Sequence, residues 1–339
     1  MKKFYAVIGN PPYQEQAEGT SDKPIFNFFM DEAYKIGDTV ELITPGRFLF
    51  NAGKTPRDWN LKMLNDSHLK VLNYTQLSSE VFPGTDIKGG VAVTFRDSKI
   101  QYGPIKTFSQ YKELNSIQRK IISSDKNVSI TTSIILQNRF NLDALYTDYP
   151  EAEQEISSNG REKRIVTSSF NKLPCFTDTK TSEDSVQILG LAEKKREFKW
   201  IERKYIEDNG NLDAYKVIVP KANGSGALGE TLSTPIIGVP KIGYTQSFIG
   251  IGAVQTYDEA AAILKYVKSK FARALLGILK ITQDNPPEKW TYVPLQNFTN
   301  KSDIDWSKSI PEIDQQLYKK YGLDNDEIKF IESHVKEMN

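Results

Sequence analysis

The sequence predicts an α/β fold: a partial doubly wound sheet over residues 1–107, followed by an α+β domain over 108–300 and a helical tail over 301–339. Three observations carry that expectation. Apolar segments of strand length alternate with helical patterns in the N-terminal part. The segment at 89–97 alternates like one partner of an antiparallel pair. Beyond residue 107 the rhythm gives way to short strands rich in Gly and Thr, and then to long helical patterns.

Taken in order, FYAVIG (4–9) is a short apolar strand running straight into Asn10-Pro11-Pro12-Tyr13, where two prolines stop the ladder. Pro24 opens a helical pattern through Ile36, with Ile25, Phe28, Phe29 and Ala33 at helical spacing. Gly37 stops it, and VELITP (40–45) reads as a second, buried strand. A charged helix around 56–66 leads to the strand LKVLNYTQL (69–77). A turn at Pro83-Gly84 then leads to GGVAVTFRD (89–97). Farther on, 185–206 reads as one basic, aromatic helix. Segment 214–256 holds the short strands YKVIVP, PIIGVP and SFIGIG. Residues 258–280 form the longest helical pattern, and 312–338 an acidic amphipathic one.

Composition narrows the function classes. The 339 residues carry 44 Lys+Arg against 43 Asp+Glu, so neither a polybasic tail protein nor an acidic solvating chain is expected. A 39% hydrophobic content is enough for a sizeable core. One cysteine, Cys175, excludes a disulfide framework, and two histidines, His68 and His334, argue against a histidine metal site or a Ser-His-Asp triad. No metal site is expected. There is no apolar run of membrane-spanning length, and the start turns polar too soon for a signal peptide. The expectation is a cytoplasmic protein without membrane association.

Asn-Pro-Pro-Tyr at the carboxyl end of a strand suits methylation of an exocyclic amine. The adenine amino lone pair is delocalised into the ring, so its nitrogen is a poor nucleophile. An Asn side-chain oxygen and a backbone carbonyl that both accept from the amino hydrogens favour the tetrahedral geometry needed for attack. The prolines hold that carbonyl before the base arrives, and the aromatic gives an extruded base a face to stack on. Asn-Pro and Pro-Pro are also common turn punctuation, and a plain turn is the competing reading.

Around this tetrapeptide the sequence resembles the adenine-N6 DNA methyltransferases of restriction–modification systems, most closely the gamma-type, TaqI-like enzymes and the fused restriction–methylase proteins. The blocks VIGNPPY (7–13), KPIFNFFMDEAYK (23–35), VELITPGRFL (40–49) and EVFPGTDIKGGVAVTFRD (80–97) fall in the family's order. The resemblance implies a Rossmann-like methyltransferase sheet and a target-recognition domain. It implies a catalytic set of Asn10, Pro11, Pro12 and Tyr13, in which Asn10 and Pro11 hold the target amino group and Tyr13 stacks on the flipped adenine, with Phe95 covering its other face. It places Phe29, with Asn10 and Pro12, against S-adenosylmethionine. Core packing is the competing reading for Phe29 and Phe95. Stretches at 216–227, 264–283, 290–298 and 302–323 resemble the recognition and tail regions of the fused enzymes, and imply double-stranded DNA as partner.

The family places a glycine-rich cofactor turn and a ribose-binding acidic residue well ahead of Asn-Pro-Pro-Tyr, whereas nine residues precede Asn10. The resemblance therefore implies an incomplete S-adenosylmethionine site. Either a second chain carrying that half, or a restriction subunit, completes the enzyme, or the chain is a truncated product. The turn at 222–226 (ANGSG) is a second candidate for the cofactor turn, and a turn inside the recognition domain is the favoured reading of it. Without a neighbour, the strand at 4–9 has an open edge.

From residue 190 to 280 there are 14 Lys+Arg against 9 Asp+Glu. Lys194, Lys195, Arg196, Lys199, Arg203 and Lys204 cluster with Phe198 and Trp200, while Lys265, Lys268 and Arg273 share a second stretch. These nine are the candidate DNA contacts. Solvated faces paired with Glu193, Glu197 and Glu202 are the alternative. Two other function classes stay open. One is a non-catalytic specificity subunit. The other is a nuclease using Asp86-Ile87-Lys88 with Asp66 upstream.

Overall fold

A computed structural model describes residues 4–15, 23–109, 111–122, 128–156, 161–193 and 195–338. The chain divides into two compact units, Met1–Asn115 and Ser116–Asn339. Among the described residues, no helix is long and apolar enough to cross a membrane.

The first unit is a four-stranded mixed sheet. Strand β1 (Phe4–Gly9) leads through the tetrapeptide to helix α1 (Phe26–Ile36), then β2 (Gly37–Pro45), α2 (Arg57–Asn65), β3 (Leu69–Thr75) and β4 (Val91–Asp97). The strands lie in the order β1-β2-β4-β3. β1 runs parallel to β2, pairing Phe4 with Gly37 and Gly9 with Leu42, and β4 runs antiparallel to both its neighbours. Gly37 joins α1 to β2 without a linker because a side chain has no room there: a Cβ would stand 2.8 Å from Val7 Cγ2 on β1. The face of α1 that enters the core is Phe26, Met30 and Ala33, one side of a helix at spacings of four and three. Phe28 and Phe29, expected on that face, are both exposed. Pro24 stands outside the helix, which begins two residues later than expected, so the core register is set by Phe26 rather than Ile25.

β1 is an edge. Its outer side has no strand beside it among the described residues, and Tyr5 and Ile8 are 80% and 78% exposed.

Among the described residues, the second unit holds a three-stranded, a four-stranded and a two-stranded sheet with a helical layer. Strands β5 (Ser185–Ala192) and β6 (Lys195–Glu202) form an antiparallel hairpin, pairing Lys195 with Ala192 and Glu202 with Ser185. The single helix expected over 185–206 is therefore corrected to a hairpin. Abundant Lys and Glu suggest a helix, but Val186, Ile188 and Leu189 of β5 are fully buried, and pairing with that strand overrides local propensity. Strand β7 (Tyr215–Pro220) is flanked by β8 (Ile236–Gly238) and β10 (Phe248–Val254). Strand β9 (Ile242–Tyr244) runs parallel to β5.

Helices α3 (Tyr257–Lys268), α4 (Lys270–Leu279), α5 (Ile310–Lys320) and α6 (Asn325–His334) complete this unit. Thr256/Glu259, Ser309/Glu312 and Asp324/Glu327 form capping boxes for α3, α5 and α6. The Asp314 carboxylate accepts from the backbone N–H groups of Lys270 and Phe271, capping α4 from the tail, and Phe271 stacks on Tyr321 with 5.0 Å between ring centres. The stretch 301–339, expected as a separate tail, thus packs into the core of the second unit.

Candidate active site: an asparagine at the end of an open strand

The tetrapeptide leaves β1 at its carboxyl end. Asn10 is exposed, and its side-chain amide engages no other described residue. Tyr13 is fixed from behind, because its carbonyl accepts from Ile25 N–H at 3.1 Å and Gln14 pairs with Pro24. Pro11 and Pro12 remove two backbone donors, leaving carbonyls to do the hydrogen bonding here. Residues 10–13 line a cleft of about 750 Å³, a size typical of small-molecule sites.

Phe26, Pro45 and Phe48 give the cleft an apolar lining, and Trp59 packs on both phenylalanines at 6.0 and 5.3 Å. The loop from Ser78 to Gly90 supplies Phe82 and the run Thr85–Lys88. This loop is built around buried Ser78, whose hydroxyl donates to the Thr85 carbonyl and accepts from Ile87 N–H. Phe82 N–H donates back to the Ser78 carbonyl at 2.8 Å. The ring of Phe82 stands edge-on to that of Tyr13, centres 6.4 Å apart. The buried hydroxyl oxygen of Tyr13 has no partner, and burial raises the pKa of that phenol.

The structure brings together Asn10, Pro11, Pro12 and Tyr13, and not Phe95. That residue sits on β4 opposite Glu41, with its ring 6.4 Å from Tyr102 and beneath the Lys70 ammonium, and it does not line the cleft. Phe82, three residues into the same sequence block, is the aromatic that does. The family resemblance points to the strand residue, while its alternation with Ala92 and Val93 supports the competing core reading; the proline and glycine after Phe82 signal a shaped loop.

Of the residues expected against S-adenosylmethionine, Asn10 and Pro12 line the cleft. Phe29 is 46% exposed on α1, free of the core packing that competes for it, but it lines no part of the cleft. The glycine turn at 222–226 is filled by the chain's own anion. The backbone N–H groups of Ser225 and Gly226 donate to the Glu230 carboxylate at 2.8 and 3.0 Å, and Lys280 pairs with it at 2.5 Å. Burial pushes the Glu230 pKa up, but Lys280 and the two N–H groups outweigh it and hold it below its usual range. That turn is a structural nest and not a cofactor turn.

Residues 1–82 match the Eco57I restriction-modification methylase family. An uncharacterized adenine-specific methylase of Mycoplasma pneumoniae is 30% identical over 94 residues, covering 26% of this chain and 22% of that protein. The sequence similarity to restriction-modification methylases thus lies in the N-terminal part of the chain. Among solved structures, the Type IIL restriction-modification enzyme MmeI in complex with DNA is similar at 10% identity and a TM-score of 0.43, over 97% of this chain and 56% of that one. The type IIG restriction endonuclease BpuSI is similar at 10% identity and a TM-score of 0.37, over 93% and 48%. The chain spans about a fifth of the curated relative and about half of each solved structure.

The candidate DNA contacts of the second unit are dispersed. Arg273 is 2% exposed, and its guanidinium donates to the carbonyls of Gly229, Glu230, Lys268 and Lys336. Lys265 donates to the carbonyls of Trp306, Ser307 and Lys308. Both are structural ties, which removes them from the candidate DNA contacts. On the hairpin and just after it, Lys199 pairs with Asp178 and Glu197, Arg203 with Asp213, and Lys204 with Asp148, while Arg196 donates to the Thr234 carbonyl. Lys195 is exposed, Lys268 lies on α3, and Lys194 lies outside the described residues. Asp66 is held by Arg96 at 2.7 Å, away from Asp86, which pairs with Lys88. The nuclease reading therefore lacks a joined acidic pair.

Proposed function

We propose that this chain carries the target-adenine half of a gamma-type, adenine-N6 DNA methyltransferase of a restriction–modification system, acting on double-stranded DNA. The observation that carries the reading is the unpartnered Asn10 amide at the end of β1, opening on an aromatic-lined cleft. Asn10 Oδ1 and the Pro11 carbonyl accept from the two amino hydrogens, which turns the nitrogen lone pair outward for attack. Tyr13 stacks on one face of the adenine, and Phe82, whose ring stands edge-on to that of Tyr13, packs against its other side. Phe82 thus assumes the part first expected of Phe95. No titrating base is required, because the amino proton is acidic once the nitrogen has been alkylated.

S-adenosylmethionine supplies the methyl group, and Phe29 is the residue of this chain that would pack on its adenine. The open edge of β1 supports a further β element beside it, carried by a second chain or by another segment, that holds the rest of the cofactor. The second unit takes the recognition role. The alternative, a specificity subunit without catalysis, is separated by one experiment. The chain is co-expressed with the reading frame immediately upstream, in a host lacking adenine methylases. N6-methyladenine appearing in host DNA, and disappearing with Asn10→Ala, supports the catalytic reading. DNA binding without any methyladenine overturns it in favour of the specificity subunit.

A further inference from the structure

The adenine cleft also contains a charge that the methylation chemistry does not use. Arg47 follows Pro45 in a short 3-10 helix, Gly46–Phe50, and lines the cleft with Asn10 and Tyr13. Its stem passes between two glycines with left-handed backbones, Gly53 at φ +99° and Gly89 at φ +83°. A Cβ on Gly89 would stand 2.0 Å from Arg47 Cγ, and one on Gly53 would stand 3.3 Å from Arg47 Cβ. The backbone therefore forms a slot that only an unsubstituted pair of residues leaves open, and Arg47 fills it.

Arg47 Nε is buried without a partner among the described residues, and none of their carboxylates is paired with the guanidinium. The acidic residue that lines the cleft, Asp86, is taken by Lys88 at 2.7 Å. A guanidinium cannot shed its charge, so an unpaired buried N–H remains a cost until an anion accepts from it. The two terminal nitrogens, which are not enclosed with Nε, present a fork that matches two oxygens of a phosphate. A base lying between Tyr13 and Phe82 must carry its own sugar and phosphate into or past this cleft.

We infer that Arg47 binds the phosphate of the extruded nucleotide, so that the cleft reads a nucleotide rather than a bare base. This rests on the adenine reading above, and the test separates the two. The full chain is titrated with deoxyadenosine, deoxyadenosine monophosphate and thymidine monophosphate, observed by ligand NMR. The monophosphate of deoxyadenosine is expected to bind about tenfold more tightly than the nucleoside, the worth of a charge-assisted pair. Arg47→Ala brings that ratio to about one. Arg47→Lys, which keeps the charge and the stem but not the fork, gives an intermediate ratio. Tyr13→Ala weakens nucleoside and nucleotide together and leaves the ratio in place.

A ratio that survives Arg47→Ala overturns the inference. So does weakening of S-adenosylmethionine binding with no change in nucleotide binding, since the anion would then be the cofactor carboxylate. Equal affinity for both monophosphates, lost from both in Arg47→Ala, supports the phosphate site and overturns the adenine reading.

Discussion

Two six-residue strands, FYAVIG at Phe4–Gly9 and YKVIVP at Tyr215–Pro220, are built from similar residues and meet opposite fates. β7 lies between β8 and β10, and every residue from Lys216 to Pro220 is buried. β1 has one neighbour, and all its residues but Val7 are exposed. Both strand ends pair proline with asparagine: β1 runs into Asn10-Pro11-Pro12, and β7 ends on Pro220, three residues before Asn223. After β7, Asn223 is buried, donating to the Thr231 carbonyl and accepting from Ser233 N–H. Asn10, at the end of β1, holds no other described residue. The difference teaches that an apolar run specifies a strand, while its neighbours decide whether the strand is core or interface. The polar group left idle at the end of the exposed strand is the one available for chemistry.

The sharpest test substitutes the two asparagines. Asn10→Ala should lower methyl transfer by about 10²–10³-fold, the usual cost of one preorganised polar contact at a reacting centre. Its urea unfolding should be unchanged. Asn223→Ala should do the reverse, costing about 1–3 kcal/mol of stability through two orphaned backbone groups. Equal destabilisation by both would break the comparison. A second test moves to the strands themselves. Ile218→Ala, in fully buried β7, should cost about 2–5 kcal/mol. Ile8→Ala, on the open edge, should stay within about 0.5 kcal/mol in the isolated chain. A large Ile8 effect would show that the edge is covered in solution.

The same contrast explains what was legible in the sequence. The alternation of strands and helices over the first unit could be read because each element has its own hydrophobic period, and β4 pairs antiparallel as its sequence suggested. The tetrapeptide could be placed at a strand end because proline terminates pairing. Phe82 was missed because its position depends on a loop closed by the Ser78 hydroxyl, a tertiary fact that no periodicity reports. The hairpin at 185–202 was missed because charge density imitates a helix face. The second-unit cations misled for a related reason: a sequence displays Lys265 and Arg273 without the carbonyls that absorb them. The turn at 222–226 looks like a ligand nest from sequence because it is a nest, and only Glu230, four residues beyond Gly226, shows that it is already filled.

Within the cleft, stacking is the contact to weigh next. Tyr13→Ala removes one aromatic face and should slow methylation about tenfold or more, since such a face is worth about 1–3 kcal/mol per base. Tyr13→Phe should remain within about twofold, because the hydroxyl has no partner in the structure. Single-turnover rates on one duplex decide it. If Phe is as damaging as Ala, the hydroxyl has a function that stacking does not explain.

The smallest expected effect belongs to the buried strand. Lys216 of β7 is wholly enclosed, and burial pushes its ammonium down to about 7. Its Nζ donates to the carbonyls of Leu212, Ala214 and Val239 at 3.1, 3.0 and 3.2 Å. An unfolded lysine titrates near about 10.4. Between these values the unfolded chain binds a proton that the native chain sheds, so stability rises with pH across that window. The unfavourable burial of charge is fully present below pH ~7 and is relieved toward pH ~10. A neutral amine has two hydrogens for three carbonyls, however, and losing one bond returns about 1 kcal/mol of the gain. The prediction is therefore the sign: a net rise in stability from neutral to alkaline pH. Lys216→Met removes the titration and leaves three carbonyls unpaired. Urea unfolding at both pH values should therefore show wild type pulling further ahead of Lys216→Met as pH increases. A gap that narrows instead would mean that the three carbonyls hold the ammonium charged against its burial, and that β7 tolerates a cation where β1 carries none.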